Sequence, residues 1–181
     1  MKTILETPRL ILREIAQADY PALASILQDE QTMYAYEGAF DDKETQDWLN
    51  RQLERYKKYG FGLWAVILKA SGEMIGQAGI TWQDIRGSFV PEIGYHLNRA
   101  FWHKGYAIEA AMACKDYAFN KLGFKEIFSI VRSTNIASKN VAMRNGMMIR
   151  DRIVKRYRGV DMPHFVLSAT NPSQLQKTAE D

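Results

Sequence analysis

A chain of 181 residues suffices for one ordinary domain, and 46% hydrophobic against 25% charged residues is the balance of a soluble globular protein. The formal charge of +3 is too weak to argue for a nucleic-acid partner. Composition excludes collagen, coiled coil and disordered chain, and the longest strongly apolar run, Leu63 to Leu68, falls far short of the roughly 20 residues of a membrane-spanning helix.

The N-terminus carries Lys2, Glu6, Arg9 and Arg13 with no apolar stretch between them, so no secretion signal is expected. Alternation from Arg9 to Ile15 predicts a strand. A short helix follows, capped by Asp19 with Pro21 in its first turn. A second helix opens on Asp41 and Glu44, a variant capping box, with Thr45, Trp48, Leu49, Leu53 and Tyr56 on one face, and ends near Tyr59-Gly60. Leu63 to Leu68 and Met74 to Trp82 read as a hairpin, and Pro91 opens a third strand through Leu97. A long helix from about Gly105 to Leu122 turns Ile108, Ala111, Met112, Ala118, Phe119 and Leu122 inward. Its Cys114 is the chain's single cysteine, which excludes an intrachain disulfide and a multi-cysteine zinc site, reads as a core thiol and points to the cytoplasm. Ile127 to Val131 (strand), Ala137 to Asn145 (helix), Met147 to Lys155 (strand) and His164 to Ala169 (strand) complete a domain over residues 1–170. A polar tail spans 171–181.

The order is β-α-α-β-β-β-α-β-α-β-β. Its central β-α-β needs a parallel pair and its hairpins need antiparallel ones, so the fold class is α/β of the α+β type: one domain with a mixed, mostly antiparallel sheet flanked by helices.

One joint carries chemistry. The strand Glu92-Ile93-Gly94-Tyr95-His96-Leu97 runs through Asn98-Arg99-Ala100-Phe101 and Trp102-His103-Lys104-Gly105-Tyr106-Ala107 into the long helix. Such a loop aims backbone N–H groups and the positive end of a helix dipole at one point, an anion site. The three-glycine dinucleotide spacing and the Gly-Lys-Ser phosphate loop are both absent.

Downstream lies Asn135-Ile136-Ala137-Ser138-Lys139-Asn140-Val141-Ala142-Met143-Arg144-Asn145-Gly146-Met147, and upstream Thr7-Pro8-Arg9-Leu10-Ile11-Leu12-Arg13. Together, in this order, these segments resemble the GNAT acyltransferase superfamily, most of all its branch of ribosomal-protein N-terminal acetyltransferases, over residues 7 to 169. The resemblance implies a sheet splayed at the cofactor strand, acetyl-CoA as acetyl donor, direct transfer to a primary amine, and no metal. It implies that the backbone of Tyr95, His96 and Leu97 contacts the pantetheine arm and thioester. The loop from His103 through Lys104, Gly105, Tyr106 and Ala107 to Ile108 would hold the pyrophosphate, with Asn135 and Asn140 along the cofactor.

Two departures stand out. Trp102 replaces the superfamily's usual Gln or Arg, and Ala142 stands where many members carry a tyrosine general acid. By resemblance Ser138 would then protonate the leaving thiolate; its alternative is a hydroxyl capping a helix. The missing tyrosine also permits a catalytically silent CoA-binding regulatory module.

The nucleophile must be a neutral amine. Deprotonating a lysine at pH 7 costs about 4.6 kcal/mol and an α-amine of pKa about 8 only about 1.4. Glu92 is the candidate base, or else an ordinary strand carboxylate; His96 lies on the same face. For the acceptor, the resemblance points to the segment from Thr32 to Phe40, with Tyr34 and Glu37, and Trp82 is a further candidate. The acceptor is a protein N-terminus or a small amine, with a homodimer among the expectations. Glu37, Asp41, Asp42, Glu44 and Asp47 against Lys43 would attract a basic substrate, or serve a helix N-terminus. Arg150, Arg152, Lys155, Arg156 and Arg158 read as a solvated sheet face or, less simply, an RNA contact.

Overall fold

The computed structural model describes residues 2–36 and 38–173. In chain order the elements are β1 (Thr3–Glu6), β2 (Leu10–Arg13), α1 (Tyr20–Leu27), α2 (Asp42–Tyr59), β3 (Leu63–Leu68), β4 (Met74–Ile85), β5 (Ser88–Leu97), α3 (Tyr106–Asn120), β6 (Glu126–Arg132), α4 (Ile136–Arg144), β7 (Met148–Tyr157) and β8 (Val160–Thr170). The strands form one sheet in the order β1-β2-β3-β4-β5-β6-β8-β7. Every neighbouring pair is antiparallel except β5 and β6, which run parallel and meet only at Glu92 and Phe128. The sheet is therefore split along its middle.

Both faces are covered. Leu10, Leu12, Trp64, Val66, Ala78 and Ile80 pack with Ala110, Ala111, Cys114 and Ala118 of α3 in the larger core. Ala65 and Met74 pack with Leu23, Ile26 and Leu27 of α1 and Leu49 of α2 in the smaller one. The alternation of Trp64 and Val66 with Ala65 is what lets one strand feed two cores. Asp41 caps α2 as its sequence implies: its carboxylate accepts from Glu44 N–H at 2.7 Å, and Glu44 accepts from Asp41 N–H at 2.9 Å.

Several boundaries differ from the sequence reading. β1 went unread because its four residues alternate weakly and no turn dipeptide marks its junction with β2. Asp19 does not cap α1; its carboxylate turns back to Arg13 and to Ala16 N–H. Pro91 lies inside β5, opposite Trp82, and does not start it. The ladder bond from Asn98 N–H to Ile75 C=O sets the alternation, so the missing N–H of Pro91 falls on the side away from β4. Hairpin β7–β8 is longer than the pattern suggests and closes on Arg158 and Gly159, both with positive φ (47° and 81°), the geometry of a tight primed turn. Register shifts between Ile149 and Asp151, and Ile149 is 45% exposed. Met112, expected inward on α3, is 48% exposed.

Candidate active site

The split between β5 and β6 is held open by side chains. Ser129 Oγ donates to Ile93 C=O at 3.1 Å, and Glu92 Oε1 accepts from Ile130 N–H at 3.0 Å. With Glu92, Gly94 and His96 bonded into the β4 ladder, the backbone groups of Ile93, Tyr95 and Leu97 face the split. Ser129 meets Ile93, and Trp102 Nε1–H donates to Leu97 C=O at 2.8 Å. The N–H and C=O of Tyr95 are left aimed into the gap. A cavity of about 850 Å³ opens there and runs to both sides.

On one side lies the loop into α3. His103 (φ 60°) and Gly105 (φ 80°) are both left-handed, which turns successive N–H groups to one concave face. No side chain caps α3, so the first-turn amides of Tyr106, Ala107 and Ile108 carry their donors and the dipole's positive end outward. The N-terminal segment braces the loop: Arg9 Nη1 donates to Lys104 C=O at 2.9 Å, its Nε pairs with Glu109 at 2.6 Å, and its guanidinium covers the Tyr106 ring. This cradle fits a pyrophosphate. The next wall is the start of α4. Asn135 Oδ1 accepts from Ser138 N–H at 3.0 Å and so caps that helix. The Ser138 hydroxyl is thereby released from capping and sits 3.0 Å from the Tyr95 hydroxyl, which also lies 3.0 Å from Ser138 C=O. Burial pushes the Tyr95 phenol up, keeping it protonated.

The other side is an aromatic chamber. Tyr36, Phe40, Trp48, His96 and Tyr157 pack ring to ring at 5.3–6.4 Å. Trp48 Nε1–H donates to Gln77 Oε1 at 3.0 Å, so the Gln77 amide nitrogen, 3.3 Å from His96 Nδ1, must be the donor there. Nδ1 is then the bare nitrogen, and Nε2–H donates to the Tyr36 hydroxyl at 3.0 Å. Burial lowers His96 to about 4, so the ring is neutral. Glu92 stands on the floor; burial pushes its pKa up, opposed by Lys155, the Ile130 N–H and Arg55. Above it the Arg158 guanidinium bonds both carboxylate oxygens of Glu44 at 2.8 Å, tying the β7–β8 turn to the first turn of α2.

The family described as "Acetyltransferase (GNAT) domain" matches residues 9–148, most of the chain and all of the donor-side wall. The chain belongs to the GNAT acetyltransferase family. The acetyltransferase is 40% identical to Bacillus subtilis YkkB over 147 residues, 81% of this chain and 86% of YkkB. It is 30% identical to the same organism's N-acetyltransferase YnaD over 145 residues, 79% and 81% of the two chains. The crystal structure of the acetyltransferase from Agrobacterium tumefaciens str. C58 matches the fold with a TM-score of 0.77 at 31% identity, over 93% of this chain and 94% of that one.

Most residues read from the acetyltransferase's sequence meet at this cavity: Glu92, Tyr95, His96, Leu97, His103, Gly105, Tyr106, Ala107, Ile108, Asn135, Ser138, Asn140 and Tyr34 all line it. Others do not. Lys104 turns away, its ammonium over the Phe101 ring at 5.2 Å. Trp82 points through the opposite face of the sheet and packs on Phe61 and Phe124, while its neighbours Thr81 and Gln83 reach the cavity. Glu37 lies outside the described residues. His96 reaches the chamber by its side chain, whereas its backbone belongs to the β4 ladder; with both nitrogens engaged and a lowered pKa it is no base. The basic run on β7 is only partly a solvated face, since Lys155 and Arg158 line the cavity.

Sequence reasoning missed the Tyr95 hydroxyl, Gln77, Trp48, Arg51, Arg55 and Tyr157. Tyr95 was within reach: odd positions of its strand face α4, opposite the even face of Glu92 and His96. Among the described residues no group of three or more His, Cys, Asp or Glu could hold a metal ion, and no helix is long and apolar enough to cross a membrane.

Proposed function

We propose that the protein is an acetyl-CoA-dependent N-acetyltransferase that moves the acetyl group directly to a primary amine. The observation that carries this reading is one continuous cavity with an uncapped helix N-terminus at one end, a buried carboxylate at the other and an opened strand between them.

The amides around His103 to Ile108 bind the pyrophosphate of the donor. The exposed N–H and C=O of Tyr95, with the side-chain amides of Asn135 and Asn140, pair with its extended amide-bearing arm as an added strand would. A backbone N–H on β5 steadies the thioester oxygen as charge gathers there. Glu92, directly or through a water, accepts the proton lost by the attacking amine; its raised pKa brings it closer to the operating pH. A C–N bond forms, the C–S bond breaks, and the thiolate takes a proton from Ser138, which Tyr95 orients by its hydrogen bond and solvent reprotonates once the products leave. No acyl-cysteine route competes, because Cys114 is buried in the core beneath α3.

The reading is tested by titrating acetyl-CoA calorimetrically, then following thiol release and product mass against a panel of amines. Binding and an acetylated amine are expected. No binding ends the reading, and binding without turnover on any amine leaves a silent CoA-binding module.

A further inference from the structure

We propose that the acceptor is a primary amine that also carries a carboxylate, held in the aromatic chamber by Arg51, Arg55 and Lys155. The inference rests on the acetyl-transfer reading above and narrows it to a substrate class.

Trp48, Arg51 and Arg55 are three and four residues apart, one face of α2, and all three line the chamber. Lys155 enters from β7 on the other side, where among the described residues its Nζ bonds only the neutral Gln83 amide oxygen, at 3.3 Å. Among the described residues none of these three cations has an ion-pair partner within 4.0 Å. Arg55 is half-buried; its one described hydrogen bond is to neutral Gln52, and burial pulls its pKa down. Among the described residues that line the cavity, two carboxylates are present to oppose them. Glu44 is already held by Arg158, and Glu92 is bonded to Ile130 N–H. The chamber thus keeps more positive charge than Glu92 can balance, and a partly buried guanidinium without a counter-ion is costly until an anion arrives. Two guanidinium groups one helical turn apart suit a carboxylate, which each can bind through two donors.

A basic substrate finds little here. The Trp48 ring that would attract an ammonium is already covered by Arg51 at 5.3 Å. Of the acids expected to draw a basic substrate, Glu37 lies outside the described residues and the other four are used within the fold: Asp41 and Glu44 in the cap, Asp47 by Lys43 at 2.7 Å, and Asp42 by Gln28 at 2.8 Å.

The experiment measures thiol release from acetyl-CoA with each amino acid, its amide and its decarboxylated amine, with spermidine, and with dipeptides Ala-Glu and Ala-Gln in C-terminally amidated form. The amide's amine is less basic, so a preference for the free carboxylate runs against intrinsic reactivity. The expected result is at least one carboxylate-bearing amine with a kcat/KM tenfold or more above both its amide and its decarboxylated partner. A free amino acid and Ala-Glu separate an α-carboxylate from one on a peptide side chain; either supports the proposal. R55Q and R51Q should each lower that ratio toward one by raising KM for the carboxylate substrate, with acetyl-CoA affinity unchanged as the check on folding, and R55K should retain part of it. Equal rates within every pair, or spermidine as the best acceptor, overturn the proposal and leave the transferase standing. Acetyl-CoA binding with no thiol released from any amine removes both.

Discussion

At the scale of single residues, the chemistry turns on where two protons go. Ala142 leaves α4 without a phenol and is buried against the core. Tyr95 brings a phenol to the same neighbourhood from the strand, within 3.0 Å of the Ser138 hydroxyl. Ser138→Ala is expected to lower kcat by about 10²-fold, the usual worth of a positioned proton donor, with acetyl-CoA affinity unchanged in calorimetry. Tyr95→Phe should show a similar split; a full-speed Tyr95→Phe variant would leave Ser138 to act alone. The second proton concerns Glu92. Because burial raises its pKa, the base becomes protonated as pH falls through a value above the ordinary carboxylate range, and turnover should fall there. The same shift means the folded state holds that proton more tightly than the unfolded chain, so Glu92 favours folding at low pH and loses that contribution as pH rises through its folded value. Glu92→Gln keeps an acceptor for Ile130 N–H and removes the charge. It should abolish the acid limb of the rate profile without lowering the thermal midpoint at neutral pH.

At the scale of elements, each half of the site is held by contacts that no local pattern announces. The capping box of α2 was readable because its two partners lie three residues apart. The bond from Arg158 to Glu44 was not, because 114 residues separate the two. The same holds for Arg9, whose side chain braces a loop 95 residues away through Lys104 C=O. The turn into α3 was legible from its sequence, since a strand, a glycine and an apolar helix follow in succession; its reading as the pyrophosphate site came from the family resemblance. Gly105 has φ 80°, and a Cβ there would lie 3.3 Å from Arg9 Nη2. Gly105→Ala should cost about 1–2 kcal/mol of stability from the left-handed backbone alone. It should weaken acetyl-CoA binding as well, measured by calorimetry at a temperature where the variant remains folded.

At the scale of the whole molecule, the mixed sheet and the element order apart from β1 follow from patterns of period 2 and 3.6, whereas the donor-side residues were expected from the family resemblance. Neither route gave the acceptor side. Tyr36, Trp48, Gln83, Glu92 and Tyr157 come from five separated segments, and only the finished sheet brings them to one chamber. The split that makes the cavity also leaves β5 joined to β6 through one residue pairing and two side-chain bonds. A donor lying in the split would contact β5, α3 and α4 at once and add to that join. Acetyl-CoA at 100 times its Kd should therefore stabilise the fold by about 2.7 kcal/mol, seen as a raised thermal midpoint that scales with ligand concentration. The midpoint should not move with an amine alone at a concentration far below its own Kd.

The single cysteine has a practical consequence for an enzyme that ends each turnover by releasing a thiol. Cys114 is fully buried on the inner side of α3 and its pKa is pushed up by that burial, so almost none of it exists as the nucleophilic thiolate. Free CoA therefore has no thiol on the native surface with which to form a mixed disulfide, and the protein needs no reductant to prevent a disulfide between two copies. A chromogenic disulfide reagent added to the working enzyme reports released CoA alone, and any slow extra mole of colour per chain counts the molecules that have unfolded.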